Sequence, residues 1–266
     1  MIKMIVSDVD GTLLSHGYIN PKCIESIKKA QEKGIEFVVA SGRDYYGVTS
    51  ILDPLGIKCS AILGNGAQYC NKEGKVLMDC YLNKKKLKEI LPIFIEHHTS
   101  YMIFTTNGFY STLEPDYVRD RFAYRGSVRF GNKMEDFLPG GPLSDSPACL
   151  IQQFDSIDEF KNRKIYSFSL IESTRAKEIT KEINENYPSL HAFQNVNAID
   201  VVKRGCSKGN GILEITKLIS DETAGIGDSY NDLEMFKVVN QSFTFKTSPK
   251  DIQQQTRYTV SSVKMA

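Results

Sequence analysis

The N-terminal region places two carboxylates at a spacing that suits metal-assisted chemistry. Asp8 and Asp10 flank Val9 one residue beyond the apolar run Met4–Val6, and Gly11 follows them. In an extended segment, residues i and i+2 face the same side, so the two carboxylates would repel each other unless a proton or a cation lies between them. Mg²⁺ accepts such oxygen ligands and keeps room for a substrate phosphate. An Asx turn that closes a strand is the simpler alternative for Asp-x-Asp-Gly alone.

Other polar segments also follow short apolar runs. Each of these features also has a purely structural explanation. Lys208 could be a solvated lysine, Ser41 a turn residue, and the segment from Gly227 to Asp232 a helix cap with acidic residues in its first turn. The Ser41 hydroxyl and the Gly42 N–H would, however, suit a phosphoryl oxygen. The segments are Ser41-Gly42-Arg43, Asn65-Gly66-Ala67 and Gly227-Asp228-Ser229-Tyr230-Asn231-Asp232, together with Lys208 at a predicted helix start.

The elements that must position these residues alternate between strands and helices. The first 80 residues read as strand, helix, strand, helix, strand, which indicates a parallel sheet with crossover helices. The same pattern returns near the end, with strands predicted at 198–202, 224–226 and 243–245 and helices at 207–220 and 231–238. Ligands of such sheets bind outside the carboxyl ends of the strands, so the polar segments are expected to meet there.

The middle of the chain has a different pattern. Amphipathic helices at 84–98 and 174–187, and strands at 101–105 and 166–171, predict an α+β unit. This unit lies between the two halves of the alternating pattern, so it is expected to be an insertion.

We therefore predict an α/β fold, with a Rossmann-like parallel sheet core and an inserted α+β cap domain. The core would comprise residues 1–82 and 197–266, and the cap residues 83–196. Most aromatic side chains of the cap are expected to be core, although the following could meet a substrate: Tyr101, Phe104, Phe109, Tyr110 and Arg125.

Four of these polar features, in this order, resemble the haloacid dehalogenase superfamily of phosphotransferases. The segment Asp8-Val9-Asp10-Gly11-Thr12-Leu13-Leu14 is similar to its first motif, Ser41 to its second, Lys208 to its third, and Gly227-Asp228-Ser229-Tyr230-Asn231-Asp232 to its fourth. The long insertion and Asn65-Gly66-Ala67 resemble the Cof-type branch, which carries an α/β cap. Four ordered motifs are far more specific than any one of them.

The resemblance implies a Mg²⁺-dependent phosphatase that hydrolyses a small phosphorylated metabolite through an aspartyl-phosphate. Asp8 would be the nucleophile, and Asp10 would act first as the acid and then as the base. Mg²⁺ would be held by the Asp8 carboxylate, the Asp10 backbone carbonyl and Asp228. Asp232 would support Lys208 or the metal ligands.

The resemblance also implies contacts to the transferring phosphoryl group. Ser41, Gly42 and Lys208 would neutralise and orient its oxygens, where positioning and electrostatics provide most of the catalysis. Asn231 would contact the phosphoryl group or the substrate. Arg43 would either contact the substrate or form a structural ion pair.

Two alternatives stay open, and one segment departs from the family. A phosphomutase of the phosphomannomutase type shares the Asp-x-Asp-Gly-Thr start, and a non-catalytic regulator could bind a phosphometabolite on the same fold. Cof-type chains usually carry a Gly-rich, MGNA-like run after the fourth motif. Residues 240–246 instead read Asn-Gln-Ser-Phe-Thr-Phe-Lys, so the last strand and helix are not predicted by the resemblance.

Composition limits the partners. Lys and Arg number 33 and Asp and Glu 32, so a net charge of +1 gives no global field that would attract nucleic acid or an anionic membrane. No apolar run approaches the ~20 residues that span a bilayer. The six cysteines are scattered and no export signal precedes Asp8, which predicts reduced thiols in the cytoplasm. The oligomeric state is not predicted.

Overall fold

The apolar runs that precede the polar segments are buried parallel strands in the computed structural model. The structure describes residues 1–15, 17–82, 84–106, 108–141, 151–160, 163–171, 174–195, 198–215 and 220–263, and all structural statements refer to these residues. The chain divides into a first unit, formed by Met1–Asp79 and Cys206–Ala266, and a second unit, Cys80–Gly205.

The strands and helices fall into three successive segments of the chain. The first segment contains β1 (Met4–Ser7), β2 (Leu14–Ser15), β3 (Tyr18–Ile19), α1 (Pro21–Glu32), β4 (Glu36–Ala40), α2 (Tyr45–Leu52), β5 (Ser60–Leu63), β6 (Gln68–Cys70) and β7 (Val76–Asp79). The second unit contains α3 (Lys84–Glu96), β8 (Ser100–Thr105), β9 (Gly108–Ser111), α4 (Pro115–Phe130), β10 (Ile151–Gln153), β11 (Ile165–Ile171), α5 (Ala176–Asn186), β12 (Leu190–Asn195) and β13 (Ala198–Lys203). The last segment contains α6 (Lys208–Ile215), β14 (Thr223–Ile226), α7 (Leu233–Val238), β15 (Gln241–Phe245), α8 (Lys250–Gln253) and β16 (Tyr258–Val260).

The sheet of the first unit has the order β16-β15-β14-β1-β4-β5-β6-β7 among the described residues. The strands from β16 to β5 are parallel, and the hairpin β6-β7 extends the sheet antiparallel to β5. Strand β1 lies where the strand order reverses, because β4 follows on one side and β14 lies on the other. In open α/β sheets this is the position that receives a ligand.

The crossover helix α1 illustrates how local sequence sets the bounds of an element. The Asn20 side chain accepts a hydrogen bond from the Lys22 N–H at 3.0 Å, and Pro21 occupies the first turn, where no N–H is needed. Cys23 and Ile27 face the core. Beyond the helix end, Gly34 has a φ of 77°, a conformation that glycine adopts without steric cost.

The second unit is built on a sheet of order β10-β9-β8-β11-β13-β12. Its strands are antiparallel except for the parallel pair β9-β10. One side packs against α3 and α5 around a large apolar cluster that includes Phe94, Phe168 and Ile179. A smaller cluster, which includes Met102 and Val118, lies between the sheet and α4. The predicted α+β pattern is therefore found in this segment.

The boundaries between the units differ from the sequence-based ones: the second unit begins at Cys80 instead of residue 83, and the larger difference is at its C-terminal side. The prediction assigned the strand at 198–202 to the core, whereas β13 pairs antiparallel with β11 and β12 in the second unit. The chain returns to the first unit at Cys206. An apolar run predicts a strand but does not identify its partner, which explains the displacement of the boundary from 196/197 to 205/206.

The segment that departs from the Cof-type pattern nevertheless completes the sheet. Strand β15 is parallel to both β14 and β16, and α8 connects β15 to β16. The Thr244 hydroxyl lies 2.9 Å from the Gly227 carbonyl and donates to it, so β15 fixes the first residue after β14. Among the described residues, every helix is too short or too polar to cross a bilayer.

The core of the second unit provides a stability test. Phe168 is fully buried and meets Phe94 edge to face, with ring centroids 5.6 Å apart. We expect Phe168→Ala to lower the free energy of unfolding by about 3–5 kcal/mol, because it leaves a cavity. Urea denaturation followed by circular dichroism measures this change.

The matched control is Tyr124→Ala, since Tyr124 is 48% exposed. Its expected effect is within about 0.5 kcal/mol. Equal losses from the two substitutions would contradict the assignment of the core.

Candidate active site

Asp8 lies directly at the carboxyl end of β1 and is 4% exposed. Its N–H continues the sheet by donating to the Ile226 carbonyl at 2.9 Å. The chain then turns sharply at Gly11, whose φ is +89°. A Cβ at this position would lie 2.6 Å from Asp228 Oδ2, so only glycine lets the turn after β1 approach Asp228 this closely.

Lys208 joins two buried carboxylates. Its Nζ donates to Asp8 Oδ1 at 2.6 Å and to Asp232 Oδ1 at 2.7 Å, and its side chain is fully buried. The Ser207 hydroxyl accepts from the Asn210 N–H at 3.0 Å and so caps α6, which places Lys208 in the first turn of the helix. Burial lowers the pKa of the ammonium, but the carboxylates of Asp232 and Asp8 raise it more. Lys208 therefore stays charged.

Asp232 is engaged through both of its oxygens. Besides the contact to Lys208, its Oδ2 accepts the backbone N–H groups of Asp228 and Ser229, each at 3.0 Å. These bonds belong to a capping box that turns the chain from β14 into the next helical segment. Asp232 thus fixes both the lysine and the backbone of Asp228, as the family resemblance implies for a supporting residue.

The carboxylates of Asp8, Asp228 and Asp232 have oxygens that lie within 4.8 Å of one another. The Thr12 hydroxyl donates to Asp228 Oδ1 at 2.8 Å and orients this side chain. Asp8 Oδ2 is buried and has no hydrogen-bond partner among the described residues. A buried carboxylate oxygen without a partner is costly unless a ligand completes its contacts.

Electrostatics also favour a cation at this position. Burial raises the pKa of Asp8 well above its usual value near 3.8. Lys208 opposes this effect, and the nearby carboxylates of Asp232 and Asp228 add to it. The four carboxylates of the site face two cationic side chains, a formal charge of −2, which a divalent cation would neutralise. The donor set therefore fits a hard divalent cation held by Asp8 and Asp228.

Asp10 and Arg43 form a bidentate ion pair. Arg43 Nε donates to Asp10 Oδ2 and Arg43 Nη2 to Asp10 Oδ1, both at 2.7 Å. A further bond from Arg43 Nη1 to the Gly47 carbonyl, at 3.1 Å, ties the guanidinium to α2. The sequence left open whether Arg43 contacts a substrate or a structural partner, and the structure places it on Asp10.

The remaining predicted residues lie at the ends of β4 and β14. Ser41 is buried, and its Oγ accepts the Arg43 N–H at 3.2 Å, which leaves the hydroxyl proton available for another acceptor. The Asn231 side chain donates to Asn65 Oδ1 at 3.0 Å. This function of the Asn65 side chain was not predicted, although an asparagine between two glycines at a strand end was a signal of an unusual turn.

The structure thus brings all the predicted site residues together in the first unit. Their catalytic and binding roles stay predictions, because a geometry does not establish a role. The residues are Asp8, Asp10, Ser41, Gly42, Arg43, Lys208, Asp228, Asn231 and Asp232, and they follow β1, β4 and β14 or begin α6.

The chain matches a known protein family over nearly its whole length. The family model described as haloacid dehalogenase-like hydrolase matches residues 5–265. The chain belongs to this family. The recognition made from the four motifs is confirmed, and so is the α/β fold class.

Two relatives of the chain are both named phosphatases. Phosphatase YwpJ of Bacillus subtilis is 27% identical over 268 residues, which cover 94% of this chain and 92% of the relative. The Escherichia coli K12 protein YbjI, named a 5-amino-6-(5-phospho-D-ribitylamino)uracil phosphatase, is 25% identical over 93% of this chain and 86% of its own length. The predicted class, a hydrolase of phosphate monoesters, is therefore confirmed at the level of the family.

A solved structure supports the fold. A haloacid dehalogenase-like hydrolase from B. subtilis aligns with a TM-score of 0.83 and 23% identity, covering 98% of this chain and 95% of that one. Because the sequence identity is only 23%, this similarity supports the fold and nothing finer.

The buried carboxylate gives a pH-dependent test. Since the folded pKa of Asp8 lies above its unfolded value near 3.8, the folded state loses stability as the pH rises through the folded pKa. Without divalent cations we expect Asp8→Asn to raise the melting temperature at pH 7. The gain should shrink as the pH falls towards 3.8, because Asp8 in the folded wild type is then protonated and neutral. Calorimetry in EDTA measures both values.

The control for this test is Asp53→Asn, which removes an exposed carboxylate from the same unit. It should change the melting temperature little at either pH. A wild-type protein that is more stable than Asp8→Asn at pH 7 in EDTA would contradict the unfavourable burial of this charge.

Proposed function

We propose that the chain is a Mg²⁺-dependent phosphatase that hydrolyses a small phosphorylated metabolite through a phosphoryl group carried by Asp8. The observation that carries this proposal is the buried Asp8 carboxylate, with one oxygen on Lys208 and the other without a hydrogen-bond partner among the described residues. A carboxylate used only for structure would have both oxygens satisfied, as those of Asp232 are.

In the first step, an Asp8 oxygen attacks the phosphorus of the substrate. Before this step Asp10 must take up a proton and give up at least one of its two bonds to Arg43. The bond between phosphorus and the ester oxygen breaks, and Asp10 gives this proton to that oxygen, so an alcohol leaves. Lys208 compensates the charge of Asp8 and orients it. The Ser41 hydroxyl and the Gly42 N–H are suited to donate to the phosphoryl oxygens, where charge accumulates.

In the second step, water attacks the same phosphorus. Asp10 accepts the proton of this water, and the bond between phosphorus and Asp8 breaks, which releases inorganic phosphate and restores the carboxylate. Asn231 would hold a phosphoryl or substrate oxygen during both steps. The two steps return every proton and bond of the enzyme to its starting state.

The metal would be held by Asp8 and Asp228, and the family resemblance adds the Asp10 carbonyl. When bound, Mg²⁺ supplies positive charge to the phosphoryl oxygens and lowers the repulsion between the phosphate and the carboxylates. The Thr12 contact to Asp228 and the amide contacts of Asp232 orient the protein ligands in advance.

The substrate class rests on the relatives and on the second unit. The E. coli relative is named for a phosphorylated ribitylamino compound, which supports a small phosphorylated metabolite as substrate. We further propose that the second unit acts as the specificity cap. Its apolar clusters already bury Tyr101, Phe109 and Tyr110, which supports a structural function for these aromatic residues.

The central test is phosphate release. After treatment with EDTA, the protein should release phosphate from aryl phosphates, sugar phosphates, nucleotides or pyridoxal phosphate only when Mg²⁺ is added. Asp8→Asn should abolish turnover because it removes the nucleophile, and Mg²⁺ should raise the melting temperature of the wild type but not of Asp8→Asn. A colorimetric phosphate assay and thermal unfolding give the two readouts.

Asp53→Asn is again the control and should keep both the activity and the response to Mg²⁺. If the panel yields no phosphate with Mg²⁺, or if Asp8→Asn keeps full activity, the mechanism is wrong. A phosphorylated second product in place of free phosphate would identify a phosphomutase.

Arg43 gives a second test. Because Asp10 is held by two short bonds to one guanidinium, we expect Arg43→Met to lower kcat by about 10- to 100-fold through misplacement of Asp10. Arg43→Lys, which can restore one bond, should be intermediate. Steady-state kinetics with a substrate identified in the panel measures both.

The matched control is Arg257→Met. Arg257 bonds Asn240, outside the candidate active site, so this variant should have wild-type kinetics. Wild-type kcat in Arg43→Met would show that the ion pair does not position Asp10.

A further inference from the structure

We propose that Asn65 is a positioning residue that sets the mutual placement of the segments around the phosphoryl group, through the turn Gly64–Gly66. This inference rests on the proposed function, because it assigns a further residue to the same site. Asn65 is proposed to act through its contacts with the segments of Ser41 and Asn231, and not to contact the substrate.

The turn is bonded first to the segment that follows β4. The Gly64 N–H donates to the Arg43 carbonyl, and the Asn65 N–H donates to the Ser41 carbonyl, both at 3.0 Å. These two backbone hydrogen bonds therefore fix the position of the segment Ser41-Gly42-Arg43 relative to the end of β5. The hydroxyl of Ser41 and the N–H of Gly42 are the groups that would meet phosphoryl oxygens, so their position depends on this turn.

The side chain of Asn65 reaches the segment that follows β14. Asn65 adopts the left-handed conformation, with φ 53° and ψ 41°, which asparagine tolerates better than most residues. It is 2% exposed, and its Oδ1 accepts the Asn231 amide at 3.0 Å. A Cβ on Gly42 would lie 3.3 Å from Asn65 Nδ2, so this amide lies beside Gly42 as well as bonding Asn231.

The last residue of the turn contacts the segment that begins α6. Gly66 has a φ of +93°, and a Cβ there would lie 2.2 Å from the carbonyl oxygen of Ser207. The backbone of Ser207 thus packs directly on the turn, and Lys208 is the next residue. One three-residue turn therefore contacts the segments that carry Ser41, Lys208 and Asn231, which lie far apart in the sequence.

Because the turn contacts all three segments, it sets the positions of Ser41, Lys208 and Asn231 relative to one another. The transition state of phosphoryl transfer is stabilised by donors at fixed positions, and small displacements reduce the rate strongly. The Asn65 amide fixes one such distance, that between the Ser41-Gly42 segment and Asn231. Loss of this amide should therefore lower kcat more than it raises KM.

The experiment uses the full chain with Asn65→Gly, Asn231→Ala and the double variant. Glycine keeps the left-handed backbone and removes only the side chain. We expect Asn65→Gly to lower kcat by about 10- to 100-fold, as the loss of a supporting contact does at comparable sites. The loss of kcat in the double variant should be smaller than the product of the two single losses, because Asn65 acts partly through Asn231.

The matched control is Asn71→Gly, since Asn71 also accepts backbone N–H groups in a turn of the same sheet, those of Glu73 and Lys75. This turn follows β6, which is antiparallel to β5. Asn71 therefore lies at the amino end of β5, whereas Asn65 lies at its carboxyl end. Asn71→Gly should lower the melting temperature and keep kcat. A conservative variant, Asn65→Asp, keeps an acceptor for Asn231 and should retain more kcat than Asn65→Gly, with weaker binding of phosphate because of its added charge.

Binding of inorganic phosphate in the presence of Mg²⁺, measured by calorimetry, separates the possible failures. A wild type that neither turns over nor binds phosphate would overturn the proposed function and this inference with it. Wild-type kcat in Asn65→Gly, or losses that multiply in the double variant, would overturn the inference alone. If Asn65→Gly does not fold, wild-type kcat in Asn231→Ala would overturn it as well.

Discussion

The candidate active site depends on the buried ion pairs that Lys208 makes with Asp8 and Asp232. Charges inside a protein cost several kcal/mol each unless they are paired and hydrogen-bonded. Removal of Lys208 would leave two carboxylates buried without their cation, so the lysine stabilises the arrangement of Asp8 and Asp232 in the site. The same lysine orients the Asp8 carboxylate, and Asp232 in turn holds the backbone of Asp228. The stability of the candidate active site and the proposed chemistry therefore both depend on the Lys208 ammonium group.

The elements around the site could be read from the sequence because their signals are local. A buried parallel strand is a short apolar run, and the residue after it lies at the ligand-binding edge of the sheet. Asp8, Ser41 and Asp228 follow such runs, and the helix that begins at Lys208 has an ordinary apolar pattern. The convergence of these residues follows from the strand order, in which β1 lies between β4 and β14.

Features that depend on partners far along the chain could not be read in this way. The strand at Ala198–Lys203 was correctly predicted as a strand but was assigned to the wrong unit, since its pairing with β11 leaves no local signal. The bidentate contact of Arg43 with Asp10 was one of two open interpretations. The Asn65 turn was recognised as a motif, but its contacts with Ser207 and Asn231 depend on packing.

The most direct test of the central claim is the detection of a phosphoryl group on Asp8 during turnover. The wild-type protein, mixed with Mg²⁺ and a turned-over substrate and quenched in acid within the first turnovers, would be digested and analysed by mass spectrometry. We expect a phosphorylated peptide that contains Asp8, and no such peptide from Asp8→Asn. Rapid phosphate release without any adduct on Asp8, or an adduct on another residue, would contradict the proposed mechanism.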